Sequence, residues 1–116
     1  MHVVPITKAP FYTSPGHMQM LMQRLQGMEA GPSDTVWIGC SVLEPGGGTT
    51  MAASDLEKFY VCVEGVVRVT GESNGQQQTT DLHPLDSCRI VPGEGRQLFN
   101  PGKSPARVLL IMPNRV

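Results

Sequence analysis

The chain is short of charge, of clustered basic residues, of paired cysteines and of long apolar runs, and each shortage removes a class of function. Charged residues make up 16% of the 116 positions and the formal net charge is −1. Lysines and arginines are scattered singly, so no basic face exists to neutralise a run of phosphates, and nucleic acid is set aside as a partner. No stretch approaches the length of a membrane-spanning helix. The N-terminal MHVVPITKAP has neither a charged leader with an apolar run nor a small-residue cleavage site, so a cytoplasmic protein without membrane attachment is expected. Cys40, Cys62 and Cys88 are odd in number, far apart and without a CxxC pair, which suits a reducing compartment. Set among apolar residues, they are expected to pack as small hydrophobes. Gly46-Gly47-Gly48 is no phosphate loop, because the lysine-serine pair and the helix that would follow are missing. No serine has a histidine at the spacing of a nucleophile motif. Cys88 gains little from Arg89, since adjacent strand residues point to opposite faces.

What is present describes one β domain over residues 1–116. The length suffices for a single hydrophobic core, and 40% apolar residues supply it. With so little surface charge, a subunit interface is expected to cover the surplus. Thirteen glycines and ten prolines cut the chain into short pieces rich in Val, Ile, Leu and Tyr. Strands are expected over Val36 to Leu43, Lys58 to Glu64, Val66 to Thr70, Ser87 to Val91 and Arg107 to Met112. Ser73-Asn74-Gly75 tolerates positive φ and reads as a hairpin turn into a polar strand over Gln76 to Leu82. In His17 to Gln26, Met18, Met20 and Met22 alternate as in a strand, whereas Met18, Leu21, Met22 and Leu25 fit a helical stripe; strand is the preferred reading. Residues 1–16 read as an extended arm able to reach a second subunit.

Two stretches carry a family pattern. In GGGTTMAASDLEKFYVCVEG, Gly46 and Gly65 frame Ala52, Ser54 and Lys58; in LDSCRIVPGEGRQLFN, Gly93 and Asn100 flank Arg96. The spacing resembles the two motifs of the cupin type-2 conserved barrel, here in a small single-domain form with its core over 36–112. The resemblance implies an all-β double-stranded β-helix, or jelly-roll cupin barrel, with a pocket between its sheets and homodimeric assembly. In metal-binding cupins the motifs supply three histidines and a carboxylate. The matching positions here hold Ala52, Ser54, Lys58 and Arg96, while Leu85 replaces the first glycine of the second motif.

Those residues cannot hold a metal in the usual way. Alanine has no donor atom, serine is a poor ligand, arginine keeps its proton and lysine must first lose its own. No metal or other cofactor is expected. Lys58 and Arg96, if they point inward as the residues they replace would, place two cations in one cavity. An organic anion would satisfy them, with Arg96 making a forked contact and Lys58 acting as point charge, acid or base. Pairing with Glu57, Glu94 or Asp86, or extension of both stems to solvent, would satisfy them too. Alternation turns Tyr60 and Cys62 to the side of Lys58 and Phe59, Val61 and Val63 to the other, and Gln97 away from Arg96. The candidate ligand-binding set is Lys58, Arg96, Tyr60, Cys62 and Ser54, with Lys58 as candidate catalytic group; Trp37 walls the pocket or an interface, and Met51 and Met112 are possible apolar liners.

Three functions follow from this site. The first is a module binding a small organic anion. The second is a metal-independent isomerase, decarboxylase or lyase acting on a carbonyl or carboxylate compound. The third is a metal-dependent oxygenase with its site moved elsewhere, drawing on His2, His17 or His83.

Overall fold

A computed structural model describes residues 1–114. Ten strands form in chain order: β1 (Phe11–Tyr12), β2 (His17–Gln26), β3 (Val36–Thr49), β4 (Ala52–Ala53), β5 (Lys58–Glu64), β6 (Val67–Ser73), β7 (Gln76–Leu82), β8 (Ser87–Ile90), β9 (Gly95–Phe99) and β10 (Ala106–Pro113). Short 3-10 turns at Ile6–Lys8 and Met28–Ala30 complete the regular structure, and among the described residues no helix is long and apolar enough to cross a membrane.

All pairings are antiparallel, and the main path runs β7-β6-β9-β3-β10-β5-β8. The layers of the jelly roll are joined in one barrel-shaped sheet because β3 serves both. Its first half pairs with β10 and β2 from Val36 to Leu43; beyond Pro45 and the left-handed Gly46 (φ 80°) its end pairs with β9 at Gly48. At Gly48 the strands cross so closely that a Cβ would lie 2.1 Å from the carbonyl oxygen of Leu98, so only glycine fits. Asn100 locks the same corner. Its buried amide donates to Leu43 O and Ser104 O, each at 2.9 Å, and its side-chain oxygen accepts the Gly102 N–H.

The expected hairpin forms with Asn74 and Gly75 both at positive φ (54° and 74°), the geometry of a two-residue turn matching strand twist. His17–Gln26 is a strand, because β3 offers it a full partner edge. Several boundaries move: β3 runs on to Thr49, β6 starts at Val67, β8 stops at Ile90, and β9 is an additional strand whose polar start hid it. The arm stays on its own barrel. β1 pairs with β2, the Gln23 amide donates to Ile6 O and Ala9 O, and the Arg24 N–H to Pro10 O. The edge of β2 thus gains a partner within the chain.

The core is built where the inward faces meet, with Leu43, Cys62, Val67, Ala106 and Val108 at 1% exposure or less. On β5, Lys58, Tyr60 and Cys62 point in, while Phe59, Val61 and Val63 face out. On β9, Arg96 and Leu98 point in and Gln97 out.

Candidate functional site

Between the inward faces of β2, β3, β5, β9 and β10 lies a cavity of about 280 Å³. Lys58 and Tyr60 of β5, Arg96 of β9 and Ser54, just before β5, contribute its polar wall; Leu110 and Met112 of β10 contribute apolar wall. Lys58 is 5% exposed, and its Nζ donates to Ser54 Oγ at 2.7 Å. Arg96 is 9% exposed. Its Nη1 donates to Thr49 Oγ1 at 2.7 Å and weakly to Thr50 O at 3.4 Å, and its buried Nε has no hydrogen-bond partner among the described residues. Thr49 Oγ1 also accepts the Leu98 N–H, so Arg96 is tethered at one corner by a group the sheet itself fixes.

Burial lowers the Lys58 pKa, and the Arg96 guanidinium lowers it further, while Asp55 works in the opposite direction. Burial pushes the Tyr60 hydroxyl up to about 12 despite the neighbouring Arg96, so it remains a proton donor at neutral pH. Among the described residues, no carboxylate side chain lines the cavity. The acids expected to compete are engaged elsewhere: Glu57 pairs with Arg89, Glu94 accepts the Val91 N–H, and Asp86 accepts the His83 N–H.

Cys62 departs from the expected lining set. It shares the face of Lys58 and Tyr60 but sits at the closed end of β5 in the apolar core, where its thiol donates to Glu64 O and Gly65 O. Burial raises its pKa, as it does for Cys40 and Cys88, so all three are poor nucleophiles. Met112 lines the cavity and Met51 does not. Trp37 lines it as well.

The lining also includes residues the sequence did not point to, Tyr12, His17 and Arg24 among them. The Arg24 guanidinium lies 3.5 Å from the Tyr12 ring centre and 4.3 Å from that of Trp37, with the rings edge to face. Its Nε also meets Glu29 at 3.4 Å. The signal for Arg24 was its alternation with Met20 and Met22 on β2. Tyr12 gave no signal, because its place depends on the arm folding back.

A larger hollow of about 350 Å³ lies outside the sheet against Arg68, Gln97 and Phe99. Arg68 there makes two hydrogen bonds to Asp81, at 2.8 and 3.2 Å, so this hollow has no uncommitted charge to offer a ligand.

No family model matches the chain. It is 34% identical over 116 residues, all of this chain and 97% of the other, to the beta-D-galactosidase Rv1717 of Mycobacterium tuberculosis. The fold matches the polyketide cyclase RemF from Streptomyces resistomycificus with a TM-score of 0.82 and 20% identity, over 97% of this chain and 79% of that one. It matches a sugar phosphate isomerase from the cupin superfamily, from Silicibacter pomeroyi, with a TM-score of 0.77 and 19% identity, over 97% of this chain and 75% of that one. The chain has the cupin fold and belongs to the family of the mycobacterial relative.

In this cupin the altered motif positions do converge. Ala52 pairs with Arg96 across β4 and β9, and Ser54 bonds Lys58. The donor set does not fit a metal ion: one position has no donor atom and two carry cationic side chains. Among the described residues no group of three His, Cys, Asp or Glu side chains could hold a metal. The histidines lie apart, with His2 on Ala30 O, His17 on Pro15 O and His83 beside Asp86.

Proposed function

We propose that this cupin binds a small organic anion between Lys58 and Arg96 and that no metal takes part. One observation supports the reading: two cationic side chains are buried in one cavity whose lining, among the described residues, contains no carboxylate. Buried charge is costly without a partner, and an arginine with an unbonded Nε retains the planar fork that suits a carboxylate. The cavity volume is at the small end for ligand pockets, which favours a compact ligand. Titration calorimetry with a panel of small carboxylates tests this. Arg96→Met is expected to weaken binding roughly tenfold or more, the scale of a hydrogen bond to a charged group. Equal binding by both proteins would remove the reading.

Metal-independent isomerisation, decarboxylation or elimination in the same cavity is the catalytic form of this reading, with Lys58 as acid-base group and Arg96 as anion clamp. The lowered Lys58 pKa supports it. The name of the mycobacterial relative favours a different reading, cleavage of a β-galactoside. Glycosidases generally use two carboxyl groups facing each other across the bond, and the lining provides none among the described residues. Turnover of a chromogenic β-galactoside that disappears in Lys58→Met would nevertheless put that reaction in this cavity.

The same proposal takes the protein as a cytoplasmic homodimer. The outer faces of β3, β10 and β5 bring Ile38, Val42, Leu109, Ile111, Phe59 and Val61 into one half-buried or exposed apolar surface. A second copy would cover it. Light scattering during gel filtration should give twice the chain mass, and a monomer at micromolar concentration would overturn the dimer.

A further inference from the structure

The amine of Lys58 differs from that of an ordinary buried lysine. It donates to a neutral hydroxyl, Ser54 Oγ, at 2.7 Å, and the pull of Asp55 towards the protonated form is outweighed by burial and by the Arg96 guanidinium. The guanidinium of Arg96 lines the same cavity, and a second cation there disfavours a protonated amine. Tyr60, on the same face two positions along β5, supplies a hydroxyl. A desolvated amine beside another cation is the arrangement that makes lysine nucleophilic towards carbonyl carbon.

We propose that Lys58 forms a reversible imine with the ligand's carbonyl group, so that the ligand class is a small oxo acid whose carboxylate rests against Arg96. This deepens the anion-binding reading and rests on it. The Lys58 lone pair attacks the carbonyl carbon and forms a C–N bond, while the carbonyl π pair moves to oxygen. A proton passes from nitrogen to that oxygen, with the Tyr60 hydroxyl donating a hydrogen bond to it, and a carbinolamine results. The C–O bond then breaks, and the oxygen leaves as water with the second nitrogen proton. Amine and carbonyl have become imine and water, with no change in oxidation state. Arg96 would hold the carboxylate through the charge that also keeps the amine free.

The chain offers a clean test because its only other lysines, Lys8 and Lys103, are both exposed. Intact protein is incubated with pyruvate and sodium cyanoborohydride, whose hydride reduces any imine to a stable secondary amine, and the adduct is mapped by mass spectrometry. The expected result is labelling at Lys58 ahead of Lys8, Lys103 and the N-terminus, with the Lys58 adduct lost in Arg96→Met. Lactate, which has the carboxylate but no carbonyl, serves as the companion probe in calorimetry and as a competitor. Should lactate bind while pyruvate labels Lys58 no faster than the exposed lysines, the imine is overturned and the anion site stands. Should lactate fail to bind and Lys58 stay unlabelled, both fall.

Discussion

One face of β5 carries two opposite environments. Cys62 is fully buried among Leu43, Val67 and Val108, and its neighbours satisfy it completely. Lys58, four residues earlier on the same face, is almost as buried but opens onto a cavity with a second cation beside it. Both follow from the same period-two alternation. The difference lies in position along the barrel, since the strands pack shut around Cys62 and leave space around Lys58. A strand can thus specify the inside of a barrel without specifying whether that inside is core or site.

The largest effect expected at the closed end is on stability alone. Leu43→Ala should cost about 2–5 kcal/mol of unfolding free energy, the range for deleting a buried leucine side chain. Urea unfolding measures it, and carboxylate binding by the folded fraction should be unchanged. If binding fell with stability, the two ends would not be separate. At the open end the pattern should invert. Arg96→Met should weaken anion binding roughly tenfold or more while leaving stability equal or higher, because it removes a buried charge whose Nε has no partner among the described residues. A loss of several kcal/mol would mean that its bond to Thr49 is chiefly structural.

The smallest effect is a pH dependence. The Lys58 pKa is lowered by folding, so between its folded value and 10.5 the unfolded chain holds the proton and the folded chain does not. Stability therefore rises with pH through that window; the penalty is full below it and absent above it. Tyr60 acts the other way. Its pKa is raised from 10.0 to about 12, so the unfolded chain ionises first and stability falls across that interval. Urea unfolding of Lys58→Met should show no Lys58-dependent rise and keep the fall above pH 10. A rise of the same size in Lys58→Met would show that Lys58 is not its source.

Much of this was legible because the motif glycines and strand periods survive the loss of the metal ligands. Gly46, Gly65 and Gly93 all adopt the positive φ that glycine allows, and Asn100 keeps its corner, so the residues at the motif positions, Lys58, Arg96 and Ser54, line one cavity. Alternation put Tyr60 and Cys62 inside but carried no information on depth, which is why Cys62 was grouped with the site. Arg24, Tyr12 and His17 depend on how β2 and the arm close over the barrel, a matter of long-range pairing with no local spacing to reveal it. The short strand β9 was obscured by Gly95, Arg96 and Gln97, which have weak strand preference and owe their conformation to β6 on one side and to β4 and β3 on the other.

On the proposed reading, an organic anion occupies the positions that hold a metal in metal-binding cupins. The most direct test of that reading is a crystal structure of the protein purified without chelator and grown with lactate, with elemental analysis of the same sample. The expected result is a carboxylate bridging Arg96 and Lys58 and no stoichiometric metal. A metal ion among the motif residues, or an empty cavity with Lys58 and Arg96 turned to solvent or paired with an acidic side chain, would contradict it.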